Sequence, residues 1–216
     1  MELEEYDRIY QHETTHFWYR TLHALVLGAI GKHARRQHGP LAILDAGCGT
    51  GGLMSRLRAL GQVTGTDLSA RALEYCARRG HGRLVQSSVS ALPFRDAAFD
   101  VVVCADVLYH RAVADDRVAL RELERITRPG GLVLLHLAAH AWLMSHHDRT
   151  VHTARRYSRR DLAALIAATG LRVVHTSYTY GLLLPAAVVM RWWSGGEQRS
   201  DLRALPRPLN GVLTAA

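Results

Sequence analysis

A short apolar run, Leu41 to Leu44, stops at Asp45, and Gly47, Gly49, Gly51 and Gly52 then follow before an amphipathic segment begins. No other stretch of the chain limits its fold as strongly. Glycines at that density let the backbone turn sharply and let a ligand approach the main chain with no Cβ in the way. A buried strand, a glycine loop and a helix start together make a nucleotide-type site at the carboxyl end of a parallel strand.

The remaining sequence supplies the alternation such a strand needs. Residues 2–37 read as two helices. His16-Phe-Trp-Tyr-Arg20 opens the second, with Leu22, Leu25, Val26, Ala29 and Ile30 at helical spacing, and Gly39-Pro40 breaks it. The aromatic knot Phe17-Trp18-Tyr19 either lids a site or packs this extension onto the body, and packing is the simpler reading. Helices are expected over Leu53 to Leu60, from an N-cap at Ser69 to Arg79, from Asp115 or Asp116 to Thr127, and from the capping-box pattern Ser158-Arg-Arg-Asp161 to Gly170. Further strands are expected at Val63 to Thr66, Arg83 to Gln86, Phe99 to Cys104, Leu132 to Leu137 and Leu171 to Tyr178, with Arg128-Pro-Gly-Gly131 a tight turn. This order predicts an α/β fold. It is a three-layer, Rossmann-like, doubly wound sheet of six parallel-type strands with helices on both faces. The expected organisation is a helical cap over 1–39, a core over 40–180, and an apolar segment with a loose tail over 181–216.

Composition excludes several classes. Cys48, Cys76 and Cys104 lack metal spacing and cannot all pair, which fits a reducing cytoplasm. Met1 to Asp7 is acidic, so no secretory leader is expected. The apolar run Gly181 to Met190 is about half of the roughly 20 residues that span a bilayer. The net charge is +8, carried by arginine with Lys32 the single lysine. A basic surface can serve nucleic acid, but without an arginine–aromatic RNA motif it reads as arginine bias on solvated helix faces.

Gly47, Gly49 and Gly52 satisfy G-x-G-x-x-G, which alone would admit a dinucleotide dehydrogenase. Asp45 counts against it, because a carboxylate repels a pyrophosphate and suits a ligand presenting a cation. Asp67, ending the second strand, is placed to accept both hydroxyls of a ribose. Leu44-Asp-Ala-Gly-Cys-Gly-Thr-Gly51, Thr66-Asp-Leu-Ser69, Ala91-Leu-Pro-Phe94 with Phe99-Asp100, and Arg128-Pro-Gly-Gly131 resemble, in order, the motifs of class I S-adenosylmethionine-dependent methyltransferases. The resemblance covers about residues 40–137. It implies that Asp45, Gly47, Cys48, Gly49 and Gly51 hold the methionine moiety, Asp67 the ribose, and Leu68 the adenine face. Ser88 and Val89 stand where the family reads the adenine amino edge, and Ser88 replaces the usual aspartate. Asp106 and His110 follow the fourth strand, at the mouth facing the methyl group.

Beyond the fifth strand, Trp142-Leu-Met-Ser-His-His-Asp148, His152 and Arg155-Arg-Tyr157 resemble the signature of a bacterial subgroup of this family, as does His16-Phe-Trp-Tyr19. The resemblance implies that this segment meets the acceptor, with His147, Asp148, His152 and Tyr157 as contacts. A base is needed only if the nucleophile must lose a proton, and His147 ranks ahead of His110 for that role. Asp148 with Arg155 or Arg156 also reads as a structural ion pair, and the histidine-rich loop reads as polar surface rather than a metal centre. The apolar stretch 181–193 docks on the sheet by default, with a membrane surface or a second subunit as other partners. Nothing β-like follows Trp193, so the family's seventh, antiparallel strand is not expected. The function expected is methyl transfer to a small-molecule acceptor in the cytoplasm. The rivals are an RNA methyltransferase and a catalytically inactive cofactor-binding protein.

Overall fold

The computed structural model describes residues 3–34, 39–144, 148 and 150–179. Helices α1 (Leu3–His12) and α2 (Phe17–His33) lead into β1 (Leu41–Ala46). There follow α3 (Gly52–Leu57), β2 (Gly61–Asp67), α4 (Ala70–Arg78), β3 (Leu84–Gln86), β4 (Phe99–Ala105), α5 (Asp116–Ile126), β5 (Thr127–His136) and α6 (Arg159–Ala167). The caps are the ones the sequence calls for. Ser69 accepts from Ala72 N, Asp115 from Arg117 N and Val118 N, and Ser158 with Asp161 closes a full capping box.

The five strands run parallel in the order β3-β2-β1-β4-β5. Period-two alternation sends side chains to both faces. On β4, Val101 and Val103 join a core with Ile43 of β1, Met54 and Leu57 of α3, and Leu22, Val26 and Ile30 of α2. Val102 and Cys104 join the opposite core with Leu44, Leu120 and Leu123 of α5, and Leu165 of α6. Helix α2 therefore shares the central core, while α1 packs Tyr6 and Tyr10 against Tyr75 of α4. The strand order reverses between β1 and β4, so a crevice opens at their carboxyl ends.

Two expectations are corrected. Residues 171–178 form no strand, so the described sheet has five strands rather than six. A strand exists through its ladder, and this stretch has β-branched residues but no alternation and no partner strand among the described residues. Val173 and Val174 are exposed, while His175 stacks on His33 and Tyr178 lies under Arg159. Arg128-Pro-Gly-Gly131 is not a free turn either. β5 already begins at Thr127, with a register irregularity opposite Phe99 and Val101 and Gly130 at φ 76°. The stretch 181–193 and the question of a seventh strand lie outside the described residues. Among those residues, no helix is long and apolar enough to cross a membrane.

Candidate functional site

The glycine loop is tied to β2 by its own amides. Gly47 N and Cys48 N both donate to Thr66 O, at 2.7 and 2.8 Å. Gly47 has φ 84°, and a Cβ there would clash with Val107 Cγ2. Gly47→Ala therefore meets left-handed strain and a β-branched neighbour, and is expected to cost about 2 kcal/mol in urea denaturation. A change below 0.5 kcal/mol would show that the loop relaxes freely. Gly49 differs, because nothing lies within 4 Å of its would-be Cβ, so the main chain there is open to a ligand.

Two acids stand at the strand ends. Asp67 accepts Gly49 N on Oδ2 and Ser69 N on Oδ1, each at 2.9 Å, so it braces the loop it was expected to serve. Burial raises its carboxyl, and the amides of Ser69, Gly49 and Leu68 oppose the rise. Asp45 is 2% exposed, and its Oδ2 has no hydrogen-bond partner. Burial pushes that carboxyl up to about 7, with the charges of Asp67 and Glu13 adding to it. An orphaned buried oxygen of this kind is satisfied by a cation, and Asp67 retains lone pairs for hydroxyl donors. The pair thus fits an aminoacyl nucleoside carrying positive charge.

On the base side, Leu68 is exposed and Val89 buried. The Ser88 hydroxyl accepts Ser90 N at 3.2 Å, which turns the loop where an aspartate would otherwise stand.

On the acceptor side the candidates separate. Asp106 lies 2.9 Å from His136 Nδ1 through Oδ1. His110 Nδ1 accepts Ala112 N, and its pKa falls to about 4 through burial, with the charges of His152 and Arg111 contributing. A histidine with that pKa is neutral but a weak base. Asp148 is buried and held by Arg156 through Nε–Oδ1 at 3.0 Å and Nη2–Oδ2 at 3.1 Å, the ion-pair alternative the sequence had offered. Tyr157 OH donates to Asp116 Oδ2 at 2.9 Å, toward α5. Tyr157→Phe is accordingly expected to cost about 1 kcal/mol in thermal or urea unfolding without altering cofactor affinity. A loss of affinity with no loss of stability would contradict that. His147 lies outside the described residues.

The structure also recruits Glu13 and Arg79, which sequence reasoning passed over, and gives the aromatic knot a place. Glu13, between α1 and α2, is buried against the loop and accepts from Thr50 Oγ1 and, at 2.7 Å, from Arg79 Nη2. Arg79 also donates to Thr50 O and Tyr10 O. Trp18 meets the His136 ring edge-on at 6.4 Å, and Tyr19 is raised by burial and by Asp106. The aromatic knot therefore lines the cleft as well as packing α2. Its density in sequence was a usable signal, whereas nothing local marked Glu13.

Residues 44–135 match the model of a methyltransferase domain family. Among curated relatives, the malonyl-acyl-carrier-protein O-methyltransferase of Erwinia pyrifoliae is 43% identical over 106 residues, covering 48% of this chain and 39% of that one. The corresponding enzyme of Serratia marcescens is 32% identical over 173 residues, covering 79% and 62%. The chain spans about four to six tenths of the length of these relatives. In fold it is similar to magnesium protoporphyrin IX methyltransferase from Synechocystis, solved with bound S-adenosylhomocysteine. The TM-score is 0.57 at 18% identity, over 74% of this chain and 77% of the other.

Proposed function

We propose that this chain, which carries the class I S-adenosylmethionine-dependent methyltransferase domain, transfers a methyl group to an oxygen of a small-molecule or carrier-bound acceptor. The observation that carries the reading is the buried Asp45 carboxyl, whose Oδ2 has no partner, beside an open glycine loop and Asp67. Asp45 and the loop amides would hold the ammonium and carboxylate end of the donor, Asp67 the ribose hydroxyls, and Leu68 the adenine face, with Ser88 and Val89 at its edge. When bound, S-adenosylmethionine supplies a methyl carbon already activated by its sulfonium. The protein's part is then to align the acceptor and exclude water. Trp18 and Tyr19 close the cleft from α2. The Arg156–Asp148 pair and the Tyr157–Asp116 bond suit those residues to hold the segment after β5 over it, with His147 as a candidate acceptor contact.

Isothermal titration calorimetry tests the donor assignment. S-adenosylhomocysteine is expected to bind, and NAD to give neither heat nor a thermal shift. The reverse result would return the site to a dehydrogenase. Salt-dependent binding of transfer RNA would move the acceptor to nucleic acid.

A further inference from the structure

His136 closes β5 opposite Ala105 of β4, and the next residue of β4's chain is Asp106. Asp106 has φ 60°, a conformation that non-glycine residues rarely adopt and that gathers at functional sites. Its amide donates to His136 O at 3.0 Å, and its Oδ1 lies 2.9 Å from His136 Nδ1. This two-point link orients the imidazole with Nδ1–H on the carboxylate, which leaves Nε2 for proton exchange. No described residue forms a hydrogen bond to Nε2. Asp45 is level with Val103, and Val103 with Leu134. His136 thus stands one strand beyond β4, two residues further toward the crevice than Asp45, and about 10 Å to its side by strand spacing.

We propose that His136 is the general base of the transfer, that Asp106 is its positioning residue, and that the acceptor is therefore a neutral hydroxyl rather than a carboxylate. This rests on the methyl-transfer reading above. In the step, a lone pair of the acceptor oxygen forms the bond to the methyl carbon. The donor's carbon–sulfur bond breaks with its electrons staying on sulfur, and the hydroxyl proton passes to Nε2. Water later takes that proton from the imidazolium beside Asp106.

The surroundings favour this role. Tyr109, after β4, and Tyr19 of α2 are both raised by burial and by the Asp106 charge, so both phenols stand near that carboxylate. Arg156, from the segment after β5, is committed to Asp148 and Ala139 O. Burial opposes the imidazolium, but the Asp106 carboxylate outweighs it and holds His136 above its ordinary pKa. The Asp106 carboxylate beside the imidazole would repel an anionic acceptor, whereas a hydroxyl meets no such penalty.

The test is an NMR titration of labelled histidines between pH 5 and 9 on wild type, His136→Gln and Asp106→Asn. Asparagine tolerates the left-handed backbone, so the variant keeps the loop. The resonance absent from His136→Gln is expected to titrate above the ordinary histidine value in wild type and to move down in Asp106→Asn. In parallel, S-adenosylhomocysteine release is followed with substituted phenols and the matching benzoic acids as probe acceptors. Phenols are expected to react at rates that rise with pH through the His136 midpoint. His136→Gln is expected to lose about 100-fold in rate and the pH dependence, while its S-adenosylhomocysteine affinity stays within about twofold. The assignment is overturned if benzoic acids react in preference, if no phenol reacts, if the profile survives His136→Gln, or if Asp106→Asn leaves the midpoint unmoved. If S-adenosylhomocysteine fails to bind the wild type, the methyl-transfer reading itself falls. If it binds, only the role of His136 does.

Discussion

Asp45→Asn is expected to yield a protein that is more stable and a poorer binder at once. In the folded state burial holds the proton on Asp45 up to about pH 7, against an ordinary value of 3.8. Between those values the native state carries the extra proton, so stability falls as pH rises from about 4 to about 7. A shift of roughly three units is worth at most about 4 kcal/mol, most of it from burial and the rest from the repulsion of Asp67 and Glu13. Asparagine keeps the shape, costs less to bury than a carboxylate, and removes the dependence. Above pH 7 the variant is expected to unfold about 2 kcal/mol later than wild type, as read from urea melts at pH 5 and 8. The same carboxylate is what a bound ammonium would satisfy. Affinity for S-adenosylmethionine in calorimetry is therefore expected to rise from pH 6 to 8 in wild type, and to fall about ten- to hundred-fold in Asp45→Asn. A variant that is destabilised and binds normally would show that Asp45 is a structural acid and not the cation's partner.

Arg79→Ala is expected to have the largest cost in stability. It removes bonds to Thr50 O and Tyr10 O, the stack on the Tyr10 ring at 4.2 Å, and the counter-charge of Glu13. Glu13 keeps only 6% of its side chain exposed, so the loss leaves a buried carboxylate uncompensated. Removing one partner of such a pair typically costs about 3–5 kcal/mol. Because Glu13 belongs to the α1–α2 connection and Thr50 to the glycine loop, the deficit is expected to show as easier proteolysis within residues 1–39 and as weaker S-adenosylhomocysteine binding. The double variant Glu13→Ala with Arg79→Ala is expected to be more stable than Arg79→Ala alone, since it removes the stranded charge. Strict additivity of the two losses would mean that the ion pair does not couple the cap to the loop.

These two residues divide what could be read from the chain from what could not. Asp45 stood in a local pattern, a strand end followed by glycines, and its chemistry followed from the one ligand charge it can tolerate. Arg79 and Glu13 lie 66 residues apart and meet only because α1 and α4 pack through Tyr6, Tyr10 and Tyr75. His136 was visible as a residue but not as a partner of Asp106, since parallel pairing of β4 with β5 had to bring the two strand ends side by side. The stretch 171–178 failed in the opposite direction. Its propensity was strand-like, but a ladder partner is a tertiary fact that propensity does not report.

By itself the sequence determined the parallel layering, the helix caps, and a glycine loop with an acid at the end of each of two strands, because each depends on residues close together along the chain. Tertiary structure alone decided that Asp45 is left with an unsatisfied oxygen, that Glu13 between the N-terminal helices braces the loop, and that Asp106 meets His136. Those outcomes depend on burial and on contacts between distant segments, and neither exists until the sheet has formed.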